Sequence, residues 1–199
     1  MSSFQTSSGD SIRAFIAINL PENVISKIRD VQEQLKKYKI KISWTKPENI
    51  HLTLKFLGDI QPESIESIER VIEESIKACH PMELFSRAIG FFPSVKRPRV
   101  LWMGLLGQTE ELALLQQKID IGLSALDFPL ESKSFTGHLT LGRLKAGGTP
   151  EVFIDIMKSF QEISTDRFVA DSVNLYKSRL TPSGPIYTKL FSTLLKTEF

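Results

Sequence analysis

The sequence predicts an α+β fold that is bilobal: two pseudo-symmetric, mostly antiparallel sheets with outer helices, facing a central cleft. Three observations predict it. Strand-like runs alternate with helical stripes along the whole chain, an order that gives α+β units with mostly antiparallel sheets. The tetrapeptide His-Leu-Thr-Leu occurs twice, starting at His51 and at His138, 87 residues apart. Two of the three histidines sit in these copies. The near-duplication points to two similar lobes, each supplying one histidine to the cleft.

Residues 13–20 are a short apolar run rich in β-formers, read as the first strand. Pro21 opens a helix at a tolerated first-turn position, and Val24, Ile28, Val31 and Leu35 recur on its buried stripe. Lys36, Lys37 and Lys39 crowd the end of that helix, where cations suit the dipole and face water. Ile40, Ile42 and Trp44 alternate with polar residues in a short strand, and residues 46–49 turn into the first histidine strand. Next comes a helix with Ile65, Ile68, Ile72 and Ile76 on one face. Residues 82–92 and 99–105 read as strands joined by a basic turn over residues 93–98. Thr109 caps a helix with Glu110 and Glu111 in its first turn; Leu112, Leu115, Ile119 and Leu123 face inward. The second histidine strand runs over about residues 135–144. Thr149 and Pro150 then start a helix with Phe153, Ile156, Met157 and Phe160 on its apolar face. Residues 168–176 read as one strand, 177–185 as a loop, and 186–194 as the last strand.

In a strand, side chains alternate faces. His51, Thr53 and Lys55 therefore share one face, and Leu52, Leu54 and Phe56 the other. In the second copy, His138 and Thr140 oppose Leu139 and Leu141. Two such strands meeting at a cleft would gather two imidazoles and two hydroxyls. Histidine titrates near neutrality, so such a pair can act as general base and general acid in one displacement. The hydroxyls, and the nearby cations Lys55 and Arg143, can hold anionic oxygens. Lys55 also fits a solvated strand residue, and His80, before Pro81, an exposed loop residue. Phe15, Trp44, Trp102 and Tyr187 are each candidates for stacking on a base and for the core. Two histidines with no nearby Cys or carboxylate motif do not make a zinc site, so neither a metal nor another cofactor is expected.

The 199 residues suffice for one bilobal domain over residues 12–199, preceded by a polar, Ser-rich tail over residues 1–11. A net charge of +2 allows a small nucleic-acid ligand without suggesting a long duplex track. The single cysteine, Cys79, excludes an internal disulfide and fits a reducing compartment. No apolar run approaches a membrane span, and the N-terminus lacks the parts of a secretory signal. A cytoplasmic monomer without membrane partners is the expectation.

The two motifs, His51-Leu52-Thr53-Leu54 and His138-Leu139-Thr140-Leu141, resemble the His-x-Thr-x signature of the 2H phosphoesterase superfamily. The flanks resemble its RNA 2′,3′-cyclic phosphodiesterases, also described as 2′-5′ RNA ligases. These flanks are Arg13-Ala14-Phe15-Ile16-Ala17-Ile18, Trp44 with Pro47-Glu48-Asn49, and Leu101-Trp102. The series Lys177, Ser178, Leu180, Pro182, Gly184, Pro185 and Tyr187 joins them. The resemblance implies a pseudo-twofold axis, one histidine per lobe, no metal, and an RNA or oligonucleotide ending in a 2′,3′-cyclic phosphate as partner. It implies His51 as proton donor, His138 as proton acceptor, Thr53 and Thr140 on the phosphate oxygens, and Arg143 as a phosphate contact. Gly137 stands where the family often has Pro, which frees the backbone there. Arg143 has the wrong parity to share a face with His138 in a regular strand, so a bulge or the strand's end must re-aim it. Two other readings keep the same cleft: cleavage or ligation of 2′-5′ linkages, and recognition of RNA ends without turnover.

Overall fold

The computed structural model describes residues 11–196; the tail expected over residues 1–11 lies outside the described residues except for Ser11. β1 (Ile12–Ile18) leads through α1 (Glu22–Leu35) to β2 (Lys41–Trp44) and β3 (Leu52–Ile60). Then come α2 (Ile65–Ile76), β4 (Met82–Phe92), β5 (Val100–Gly107), α3 (Thr109–Ser124) and β6 (His138–Ala146). The chain ends with α4 (Pro150–Ser159), β7 (Phe168–Ala170), β8 (Ser172–Thr181) and β9 (Gly184–Leu194). Among the described residues no helix is long and apolar enough to cross a membrane.

The strands run antiparallel in the order β7-β4-β5-β6-β3-β1-β8-β9, with β2 beside β6. The two expected sheets are the halves of this order, and they join at one residue pair, Leu52 opposite Leu139. These leucines hold the same place in the two motifs and both are fully buried. The pair therefore marks the pseudo-twofold axis. Helical stripes cover the back of the sheet. Val24, Ile28, Val31 and Leu35 of α1, Ile68, Ile72 and Ile76 of α2, Leu112, Leu115, Ile119 and Leu123 of α3, and Phe153 and Ile156 of α4 join one buried cluster. Each such side chain contributes about 1.5–3 kcal/mol by leaving water.

Three local expectations differ from the structure. Gln108, and not Thr109, holds the N-cap of α3. Residues 168–176 are two strands: β7 pairs with β4 and β8 with β1, so the chain passes from one lobe to the other at Asp171. Residues 177–185 mostly extend β8 and open β9, because continuous cross-strand pairing as far as Thr181 and Gly184 leaves only Pro182 and Ser183 to turn.

Each motif strand carries a bulge at the same place. Against β1, Thr53 pairs with Ala17 and Lys55 with Ile16, so Leu54 is the extra residue. Against β5, Thr140 pairs with Trp102 and Gly142 with Leu101, so Leu141 is the extra residue. An extra residue reverses the face of everything after it. Lys55 therefore does not share the face of His51 and Thr53. It turns into the core, 3% exposed, with Nζ 2.5 Å from Asp120 Oδ1 of α3, 2.6 Å from the Pro129 carbonyl and 3.4 Å from Glu131. Phe56, expected on the apolar back, points to the cleft side at 65% exposure. At the other bulge, buried Gln32 of α1 donates from Nε2 to the Thr45 carbonyl (2.8 Å) and the Leu141 carbonyl (2.9 Å).

Lys55→Ala leaves Asp120 as an unpaired carboxylate in the core. Denaturant unfolding at neutral pH is expected to show a loss of about 3–5 kcal/mol. The pair replacement Lys55→Met with Asp120→Leu should recover most of it, whereas a single-variant loss below about 1 kcal/mol would contradict the buried pairing.

Candidate active site

His51 stands immediately before β3 and His138 opens β6. Since Leu52 and Leu139 point into the core, the histidines and threonines beside them take the cleft face. Continuing the register of that pair sets His51 across from Thr140 and His138 across from Thr53. The four side chains thus surround the pseudo-twofold axis.

The two imidazoles are held alike. His51 Nδ1 lies 2.8 Å from the Asn49 carbonyl, and His138 Nδ1 lies 2.8 Å from the Thr136 carbonyl. A carbonyl only accepts, so each Nδ1 carries the hydrogen and each Nε2 is left to exchange a proton in the cleft. Asn49 is itself fixed, donating from Nδ2 to the Pro185 carbonyl of the β8–β9 turn at 2.9 Å. The ring surroundings differ between lobes. Phe15 stacks on His51 with centroids 4.6 Å apart and planes 22° apart, and Tyr187 meets it edge-on at 5.3 Å. His138 takes edge contacts from Phe92 at 5.1 Å and Trp102 at 6.2 Å, which stack on each other at 4.7 Å. Burial pushes the His51 pKa below its usual 6.5, while the bond to the Asn49 carbonyl works the other way.

Arg143 reaches the cleft face by the bulge at Leu141: Thr140 pairs with Trp102 and Arg143 with Val100, two residues apart on β5. Its guanidinium works on Tyr187 of the other lobe: burial pushes the Tyr187 phenol up and Arg143 pulls it down. Of the expected site residues, His51, Thr53, His138, Thr140, Arg143 and Tyr187 gather around one cleft. Two do not present themselves to a ligand. Lys55 is paired in the core, and Phe15 is 3% exposed, packed among His51, Tyr176 and Tyr187 rather than open to a base. Phe56 was missed by the strand-parity reading. It lies five residues after His51, as Arg143 lies five after His138, and the duplication carried that signal. Among the described residues no three His, Cys, Asp or Glu side chains gather as a metal site.

A family model described as LigT like Phosphoesterase matches residues 18–102 and 106–187. This chain is a LigT-like phosphoesterase. The family lies in the 2H phosphoesterase superfamily, and the chain is an enzyme of phosphoester chemistry. It is 36% identical to a protein of Methanocaldococcus jannaschii over 176 residues, covering 88% of this chain and 96% of that one. It is 31% identical to one of Methanothermobacter thermautotrophicus over 179 residues, covering 90% and 96%. Both relatives carry the name RNA 2′,3′-cyclic phosphodiesterase. The fold is similar to that of the protein TT0787 of Thermus thermophilus, with TM-score 0.77, 25% identity, and 94% and 100% of the two chains covered. It is also similar to Escherichia coli LigT complexed with 3′-AMP, with TM-score 0.70, 20% identity, and 95% and 100% covered.

A ¹⁵N-histidine NMR titration of the LigT-like phosphoesterase is expected to place the His51 midpoint below about 6.5, the ordinary histidine value. The stability it contributes is present above the unfolded pKa and is lost as pH falls through the lower folded value. A midpoint at or above 6.5 would contradict the burial account.

Proposed function

We propose that this enzyme hydrolyses the 2′,3′-cyclic phosphate at the end of an RNA, leaving a 2′-phosphomonoester and a free 3′ hydroxyl. The observation that carries the reading is the matched setting of two imidazoles, each tied at Nδ1 and free at Nε2, across the Leu52–Leu139 pair. The names of the Methanocaldococcus and Methanothermobacter relatives support the substrate. His138 Nε2 takes a proton from water as the water oxygen bonds to phosphorus. The bond from phosphorus to O3′ breaks, and His51 Nε2–H gives its proton to that oxygen. Thr53, Thr140 and Arg143 hold the non-bridging oxygens, where charge grows. The exposed ring of Phe56 offers a face to the terminal base.

The donor must be charged before it acts. Burial disfavours the charged form of His51 in the empty site. A phosphodiester anion beside it supplies the opposite charge and restores the protonated form. The acceptor, His138, needs only its neutral tautomer to take a proton from water.

The test is a short RNA ending in a 2′,3′-cyclic phosphate, incubated in EDTA with the product's phosphate position read out. A 2′-phosphate is expected, with turnover falling roughly 10²–10⁴-fold in His51→Ala and in His138→Ala while both stay folded. Near wild-type rates in both variants would contradict the assignment. RNA bound without turnover would support an end-binding module instead, and activity confined to 2′-5′-linked substrates would move the reaction to those linkages.

A further inference from the structure

Charge is distributed unevenly in this nearly neutral chain. The 23 acidic residues leave several long segments empty, among them residues 35–47, 84–109, 132–150 and 172–197. The first three carry twelve of the 25 Lys and Arg residues. The fold brings these three together on hydrogen-bonded strands. β2 pairs with β6 on one side and β5 pairs with β6 on the other. Ser43 lies opposite Arg143, and Lys41 lies opposite Ala146, so Lys41 and Arg143 share a face of β2 and β6. Ile42, Trp44 and Leu144 pack against the core, which leaves Lys41 exposed on the other side; Lys145, the extra residue of a bulge between Leu144 and Ala146, is exposed at the end of β6. Arg99 closes the corner, its carbonyl accepting from the Leu144 N–H at 2.9 Å, and the exposed Lys96 and Arg97 precede it in the β4–β5 turn. None of Lys41, Lys96, Arg97, Arg99, Arg143 and Lys145 has a carboxylate within ion-pair distance among the described residues.

The three segments that form this corner carry no carboxylate of their own to neutralise its cations. The corner is also continuous with the site. Along β6, His138, Thr140 and Arg143 follow one another on the cleft side, spanning about 16 Å at roughly 3.3 Å per residue, and Lys41 of β2 continues that face. We infer that this corner is a track for the sugar-phosphate backbone of a single RNA strand, entering the cleft by its 3′ end. The inference rests on the proposed function and extends it from the terminal nucleotide to the nucleotides before it. A cyclic phosphate closes the 3′ end, so the rest of the strand can leave the cleft only in the 5′ direction. The lobe of β1, β3, β8 and β9 offers rings to the last base, and the opposite lobe offers cations to the phosphates upstream. The track makes no sequence-specific contact, since point charges on phosphate position a strand without reading its bases.

The test compares an eight-nucleotide RNA and a dinucleotide, both ending in 2′,3′-cyclic phosphate. Wild type is set against the triple variant Lys41→Gln, Arg99→Gln, Lys145→Gln. Binding is read by anisotropy with the catalytically silent His138→Ala background, and turnover is read in the His138 enzyme. The wild type is expected to prefer the octanucleotide by tenfold or more in affinity and kcat/KM at low salt, and the triple variant to lose that preference with its dinucleotide rate unchanged. Neutralising three phosphate contacts should also make the plot of log affinity against log salt shallower by about 2. An equal length preference in wild type and variant, or none in wild type, overturns the track while leaving the dinucleotide reaction standing. Binding of the octanucleotide that responds to the variant, with no turnover of either RNA, supports the track and overturns the hydrolysis.

Discussion

The backbone pairing of Leu52 with Leu139 is the constraint on which the site depends. It is the one ladder pair between β3 and β6, and so between the two halves of the sheet, among the described residues. Because both leucines are sealed in the core, their neighbours must face the cleft, and the pair sets which neighbours meet. A one-residue slip of either strand in this register would turn its histidine toward the helices. The pair therefore joins the lobes and sets the separation of the two imidazoles through the same contact.

Around this axis the polypeptide repeats a device rather than a sequence. Each motif strand bulges one residue after its threonine, and a helix from beneath secures the region with a buried polar group. Gln32 of α1 satisfies the carbonyl of the bulged Leu141, and Asp120 of α3 receives Lys55 next to the bulged Leu54. α1 follows β1 yet supports β6, and α3 follows β5 yet supports β3. Each histidine strand is thus braced by the helix that precedes the other one, and neither half is complete alone. A buried amide or ammonium is costly unless every polar atom finds a partner, so these braces tolerate little displacement. They also free the residue five places after each histidine to face the cleft: Arg143 in one lobe, Phe56 in the other. The pseudo-symmetry makes two equivalent positions, and the residue types make one of them a charge and the other a ring.

Much of this was legible in the chain. Apolar spacing placed all four described α-helices, and the repeated tetrapeptide located both histidines and the face they share with their threonines. The parity of Arg143 called for a bulge, and one is there. The same arithmetic failed for Lys55 and Phe56 because strand alternation is a local rule, while a bulge is set by the neighbouring strand's register. Phe15 reads as an exposed ring or a core ring from its neighbours alone; only the stacking of His51 and Tyr187 around it decides. The split between β7 and β8 was hidden for a related reason. Residues 168–176 all favour strand, and nothing in their composition says that the partner changes at Asp171.

The account stands most directly on both imidazoles meeting one phosphate through Nε2. The deciding measurement is ¹⁵N NMR of histidine-labelled enzyme titrated with a dinucleotide carrying a 2′-phosphate, the product of the proposed reaction. The account predicts that the Nε2 signals of His51 and His138 shift together at one binding constant while both Nδ1 atoms stay protonated. A shift at only one histidine, or Nδ1 losing its proton while Nε2 keeps one, would contradict it.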